Sequence, residues 1–424
     1  MSSLSLNPYV TGLKESATLD INLKALELRK QGHEVYHFGF GQSPFPVPEP
    51  IQEALRNNSH KKDYLPSRGL PELCDAVAAY YRKEFGYVYS GNDVLIGPGS
   101  KELIFQTIYL MEGPVIVPAP SWVSYGPQAS LRGKDVFPIN TERDNSYKLT
   151  ANELDRVCHH LGQKQKLLIL NNPNNPTGAV YYEKEIKEIA EICRAYGVIV
   201  ISDEIYAKID FTEYPQSSIA KYYPEGTIVS GGLSKSFAAG GYRLGVMLIP
   251  QALHIMVDAL KSIISETFSS VSAPIQFAAL EAYQNFDNLR PTIKMHSDIH
   301  KYASTYLYKR FKAMGMNCPR PEGSFYLFPD FENYKQPLRA KGIITCNQLC
   351  KDVQEKAHVA MLPGADFYLP ATHLGVRVAS VDFDGAKALQ EWPGESAMDE
   401  KKTMKLFPYL VKGCDSLEKY LKKL

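Results

Sequence analysis

The 424 residues are 44% apolar, enough to bury a large core in one large domain with a smaller one or a few intertwined ones. With 47 basic against 46 acidic side chains, no global field recruits nucleic acid or an anionic membrane, so any recognition of an anion must be local. No apolar run approaches the roughly 18 residues of a membrane span, the start MSSLSLNPYV lacks the regions of a secretory signal, and seven scattered cysteines, an odd number, argue for reduced thiols; a soluble cytoplasmic protein is the expectation.

Residues 1–50, rich in Pro and Gly towards their end, and the last hundred residues differ in pattern from the middle. The expected division is an arm and part of a small domain over 1–50, a large domain over 51–310, and the rest of the small domain over 311–424. Near the start, His33-Glu34-Val35-Tyr36-His37 matches the HExxH metallopeptidase pattern, which needs a helix to bring both histidines to one face. Gly32, Val35, Tyr36, Phe38 and Phe40 favour a strand instead, where the histidines stand about 13 Å apart and cannot share one zinc. Gly39-Phe40-Gly41 lacks the third glycine of a dinucleotide fingerprint, and no Gly-Lys-Ser/Thr run marks a nucleotide-triphosphate loop.

From about residue 93, short apolar runs alternate with helical periods: Val94 to Ile96, Val115 to Val117, Leu167 to Leu170, Val198 to Ile201 and Thr227 to Val229. Between two of them Ile186, Ile189, Ala190 and Cys193 recur at helical spacing until Gly197. This is the pattern of a doubly wound α/β layer with a mostly parallel sheet covered by helices. Further on, Gly323 to Asp330 and Val376 to Ser380 read as isolated strands, and 390–402 as a polar surface loop.

Ligands in open α/β sheets bind outside the carboxyl ends of the strands, and here those ends carry the polar residues. The first strand opens into Gly97-Pro98-Gly99-Ser100-Lys101 and a helix from Leu103, a glycine-rich turn whose free N–H groups suit a phosphate. Later strands run into Asn171-Asn172-Pro173-Asn174-Asn175-Pro176-Thr177-Gly178, into Ser202-Asp203-Glu204-Ile205-Tyr206, and into Ser230-Gly231-Gly232-Leu233-Ser234-Lys235, with Arg243 eight residues on. A lysine in that crevice suits Schiff-base chemistry. Cys346 and Cys350 could share a helical turn, but no histidine or second cysteine pair stands near, and no metal site is expected.

These motifs, in this order and spacing, resemble the class I and II pyridoxal-phosphate aminotransferases of fold type I, in particular bacterial-type aspartate aminotransferases. Further stretches carry the resemblance over roughly residues 15 to 390: Ser16-Ala17-Thr18, Gly41-Gln42-Ser43-Pro44-Phe45, Tyr64 to Gly69, Leu362 to Phe367, and Arg377. The resemblance implies pyridoxal 5′-phosphate held covalently by Lys235, with Asp203 facing the pyridine nitrogen, Tyr206 and Asn175 the ring oxygen, and Trp122 the ring face. Arg243, Ser234 and the Gly99-Ser100-Lys101 backbone would hold the phosphate, with Tyr64 reaching across from a second subunit of a homodimer. Arg377 would fork onto the substrate α-carboxylate, close to Gly41, and Trp122 and Asn175 would also border the substrate. Lys101 matches a lysine facing the distal carboxylate of dicarboxylic substrates, which favours aspartate and glutamate.

The chain departs from the family in two places. Gly232 stands where Ser or Thr is frequent, leaving the phosphate cup one hydroxyl short unless Ser230 substitutes, and about twenty extra residues intervene around Trp392. The implied reaction is ping-pong transamination between an amino acid and a 2-oxo acid. A carbon–sulfur lyase or synthase of the same fold, or an aminotransferase for aromatic or neutral amino acids, would use the same cofactor contacts. A cofactor-binding regulator would need a DNA-binding module, for which almost no chain is left over.

Overall fold

The computed structural model describes residues 4–13, 23, 25–28, 30–214 and 217–424; the Ser16-Ala17-Thr18 part of the resemblance lies outside them. The strands in chain order are β1 (Tyr36–His37), β2 (Val94–Gly97), β3 (Val115–Ala119), β4 (Val136–Asn140), β5 (Leu167–Asn171), β6 (Ile199–Asp203), β7 (Thr227–Gly232), β8 (Gly245–Leu248), β9 (Tyr326–Leu327), β10 (Val359–Ala360), β11 (Leu362–Pro363) and β12 (Val376–Ala379).

Seven of these form one sheet in the order β2-β8-β7-β6-β5-β3-β4. All neighbours are parallel except at β8, which runs antiparallel to both β2 and β7. β2, β3 and β5 are buried along their whole length, because helices cover both faces and every Val, Ile or Leu there finds an apolar neighbour. The helices Ser100–Leu110 and Ile255–Thr267 pack with β2, β3 and β8 in one core, while Ala151–Leu161 and Glu183–Ala195 pack with β5 in another. The expected strands and helices are therefore present. β4 and β8 were not foreseen: β4 is an edge strand containing Pro138, as proline in a sheet requires, and β8 is only four residues long.

The remaining strands form a two-stranded parallel sheet, β1-β10, and a three-stranded antiparallel one, β11-β12-β9. They line a separate core that joins Phe38 to Leu327, Val359 and Val378, and on to Leu410 and Leu417 of the helix Pro408–Leu421. The 28-residue helix Phe286–Ala313, about 42 Å long, links the two regions. Its Leu289 and Ile293 belong to a core of the large sheet, and its Leu307 and Phe311 to the second core.

Two expectations change. The segment 390–402 is not a plain surface loop: the helix Gly385–Glu391 runs into it, the helix Glu400–Leu406 begins within it, and Trp392 packs against Tyr302 and Phe407 at ring-centroid distances of 5.5 and 6.5 Å. Three aromatic rings explain why so polar a stretch stays docked. The strand expected around His33 to Phe40 shrinks to Tyr36–His37, and His33 stacks on His358 instead. Among the described residues no group of three His, Cys, Asp or Glu side chains could hold a metal ion, no helix is long and apolar enough to cross a membrane, and all seven cysteines are buried free thiols.

Candidate active site

In the large sheet β2, β3, β5, β6 and β7 all point the same way, so the loops after them meet at one edge, where a cavity of about 360 Å³ opens. Its walls bring together Gly41, Ser100, Lys101, Trp122, Asn175, Asp203, Tyr206, Ser234, Lys235, Arg243 and Arg377. Gly99 lies directly behind Arg243: at φ 94°, a Cβ built on it would stand 2.3 Å from Nη2 of that arginine. Tyr64 stays outside the cavity, 92% exposed.

Lys235 follows β7 by three residues and its Nζ donates to the Gly41 carbonyl at 2.6 Å. Burial depresses the pKa of this amine; Tyr326 and Asp203 oppose the shift, and the Arg377 and Arg243 charges reinforce it. The backbone also accounts for the missing hydroxyl. Gly232 has φ 155°, and a Cβ there would stand 2.7 Å from the Leu244 carbonyl oxygen, so no side chain fits. Ser230 does not replace it: it is fully buried inside β7, away from the cavity, and its hydroxyl has no partner.

Asp203 ends β6 and is 3% exposed. Burial pushes its carboxyl up to about 6, against the Tyr125 hydroxyl that donates to Oδ2 at 2.6 Å and the charge of Lys235. The asparagine run after β5 folds back on this strand. Asn171 Nδ2 donates to the Asp203 carbonyl at 2.8 Å, its Oδ1 accepts from Asn175 N–H at 2.7 Å, and Asn175 is thereby aimed into the cavity.

Arg377 enters from β12 and is 1% exposed. Its Nη2 donates to the Gly39 carbonyl at 2.5 Å and its Nη1 to Asn175 Oδ1 at 3.4 Å, while Nε has no partner. Burial lowers its pKa, but a guanidinium stays charged in proteins. Among the described residues no carboxylate is hydrogen-bonded to it, and the Asp366 charge favours the cation only as a lesser influence than burial; a buried charge with so little compensation is costly, so the site suits an incoming anion. Lys101 Nζ lies 5.1 Å from the Trp122 ring centroid, and its pKa is lowered by burial and by Arg243 and Lys235. Among the described residues four basic side chains, Lys101, Lys235, Arg243 and Arg377, thus share the cavity with one carboxylate, Asp203, inside a chain of net charge +1. This is the local anion field that the composition demanded.

Among the wall residues to which the sequence reading gave no role are Tyr125 and Tyr326. Tyr125 carried a signal, since it lies three residues after Trp122 beyond β3. Tyr326 carried none: it sits in a strand that reads as ordinary core, yet its hydroxyl accepts from Tyr206 at 3.2 Å and donates to the Gly41 carbonyl at 3.5 Å.

With the geometry in hand, comparison with known proteins is informative. The sequence profile described as aminotransferase class I and II matches residues 34–387. A probable aspartate/prephenate aminotransferase of Aquifex aeolicus is 34% identical over 371 residues, 85% of this chain and 91% of that protein. An aspartate aminotransferase of Geobacillus stearothermophilus is 32% identical over 376 residues, 87% and 93% of the two chains. The solved aspartate aminotransferase of Thermus thermophilus with maleate superposes with a TM-score of 0.84 at 28% identity, covering 98% of this chain and 99% of that one. The chain therefore belongs to the class I and II aminotransferases and is a transaminase of their fold-type-I architecture.

Proposed function

We propose that the chain moves amino groups between dicarboxylic amino acids, aspartate or glutamate, and 2-oxo acids, with pyridoxal 5′-phosphate as cofactor. One observation carries this reading: Lys235 and Arg377 are bonded to carbonyls two residues apart on the same loop, Gly41 and Gly39. That ties an amine and a carboxylate receptor to one short loop in the wall of the same cavity.

The cavity fits the cofactor. A helix N-terminus begins at Ser100 beside Arg243, with no room for a Cβ at Gly99, which suits a phosphate. The buried Asp203 carboxyl suits a pyridine nitrogen, and the unpartnered Nε of Arg377 marks a place for a substrate carboxylate. When bound, the cofactor supplies an electron sink for the bonds at the substrate Cα. Asp203 would hold a proton at the ring nitrogen, Tyr206 and Asn175 the ring oxygen, Trp122 the ring face, and Ser234 and Arg243 the phosphate. Lys235, whose pKa burial lowers, would move the proton at Cα as a general base and acid. Tyr64, 92% exposed, would complete the phosphate site of a second copy in a homodimer. The two cores joined by Phe286–Ala313 support the division into a large domain over 51–310 and a small one from both chain ends. Seven free buried thiols fit a reducing, cytoplasmic setting.

The distal carboxylate falls to Lys101, whose amine stands free over Trp122. Lys101→Ala is expected to lower kcat/KM for aspartate by about 10- to 100-fold and to spare alanine; equal losses for both would remove the assignment. A second expectation concerns pH. In the cofactor-free fold Asp203 titrates at about 6, above the unfolded value near 4. The folded state therefore binds more protons between those values, and stability is lost as pH rises through that window. Cofactor-free Asp203→Asn should match the wild type in melting temperature at pH 4 and exceed it at pH 8.

The function itself is tested by the absorbance spectrum of the purified protein with pyridoxal phosphate. A yellow chromophore that bleaches with aspartate and recovers with 2-oxoglutarate supports the reading; a protein that stays colourless overturns it.

A further inference from the structure

Tyr326 touches three groups of the site with one side chain. It is 2% exposed, its hydroxyl accepts from Tyr206 at 3.2 Å and donates to the Gly41 carbonyl at 3.5 Å, and the same carbonyl accepts Lys235 Nζ at 2.6 Å. Its ring centroid lies 4.6 Å from the Arg377 guanidinium carbon. The backbone beneath it is fixed. β9 pairs Tyr326 with Ala379 of β12, the strand that carries Arg377. Ser324 Oγ accepts the Tyr326 N–H at 3.3 Å and donates to the Asn174 carbonyl at 3.1 Å. Gly41 is glycine for this reason too, since a Cβ there would stand 1.8 Å from the Tyr326 hydroxyl oxygen.

A phenol has one proton to give and can accept others. The Gly41 carbonyl now has two donors, a close one in Lys235 and a distant one in Tyr326. Engaging Lys235 in chemistry removes the close donor and leaves the carbonyl to Tyr326. The Gly39–Gly41 loop must meanwhile stay in place, because Arg377 is bonded to Gly39.

We propose that Tyr326 is a positioning residue of the amino-transfer site: its hydroxyl takes over the Gly41 carbonyl when Lys235 releases it, and its ring face backs the Arg377 guanidinium. The carboxylate-binding fork then keeps its aim through both halves of the reaction. The inference rests on the reading of Lys235 and Arg377 given under the proposed function. It also explains why a hydroxyl and an aromatic face are needed at one position, for the two parts serve different partners.

The test separates those parts in the full-length protein loaded with pyridoxal phosphate. Maleate, a dicarboxylate that cannot transaminate, is titrated while the cofactor absorbance is followed, and KM and kcat are measured for aspartate. Tyr326→Phe keeps the face and removes the hydroxyl; it should raise the maleate Kd and the aspartate KM about fivefold, by more than kcat falls. Tyr326→Leu removes both and should raise them about fiftyfold. Phe must therefore recover part of what Leu loses. A merely structural tyrosine would lower the melting temperature of both variants and leave maleate affinity untouched, and that result overturns the proposal, as does equal affinity in all three proteins. If the wild type turns over no amino acid, the functional reading fails and this inference falls with it; if it does and the variants match it, only the role of Tyr326 fails.

Discussion

Lys235→Ala should leave a folded protein that no longer develops the visible absorbance of covalently held pyridoxal phosphate and whose turnover falls by about 10⁴ or more. The size of the loss follows from two duties on one atom. Nζ lies in the cavity wall with a pKa lowered by burial, and under the proposed function it would serve both as the nucleophile that holds the cofactor and as the base at the substrate Cα. Lys101, the other lysine of the wall, cannot stand in, because it lies over Trp122. Folding should survive. The substitution removes one hydrogen bond to Gly41, worth about 0.5–1.5 kcal/mol, and also removes a cation that Arg377 and Arg243 disfavour; the two effects oppose each other. Spectra and melting curves of the same sample decide the matter. A variant that stays yellow would move the covalent role elsewhere, and an unfolded one would show that Lys235 supports the loop after β7.

Much of this site could be read before any fold was known because strand and ligand impose different chemistry on adjacent residues. Val94 to Ile96, Leu167 to Leu170 and Thr227 to Val229 are apolar since both faces of the sheet are covered, and polarity resumes where the backbone leaves the layer. Asp203 and Lys235 stand within a few residues of such boundaries, so their places were legible. Arg377 was legible only through family resemblance, for nothing local to Val376–Ala379 shows that β12 delivers it to the edge of another sheet. Tyr326 shows the limit. Its neighbours Phe325, Leu327 and Phe328 are fully buried, its own pattern is that of core, and its contacts with Tyr206 and Gly41 span 120 and 285 residues of chain. β8 was missed for a related reason: four residues of GVML are too short for a period, and what makes them a strand is two antiparallel partners far away. The helices that intrude on 390–402 follow from rings on Tyr302 and Phe407, outside the polar stretch itself.

Arg377→Ala should lower kcat/KM for every amino acid, alanine and aspartate alike, by a factor of about 10² to 10⁴. Its partners explain the breadth of the effect. The guanidinium is 1% exposed, bonded to Gly39 and Asn175, flanked by the Tyr326 and Phe367 rings at 4.6 and 5.2 Å, and left with a free Nε. Such a fork is fixed in direction before any ligand arrives, and a planar carboxylate can use it in two places at once. Since the α-carboxylate is common to all amino acids, the loss cannot depend on the side chain, which is where Lys101→Ala should differ. Arg377→Lys keeps the charge but not the fork, and a lysine amine cannot reach Gly39, Asn175 and a carboxylate together; it should recover only a small part of the loss. Steady-state kinetics on the three variants with the two substrates yield a pattern that neither residue alone can imitate. If Arg377→Ala spares alanine while Lys101→Ala harms it, the two cations have exchanged roles and the substrate lies reversed in the cavity.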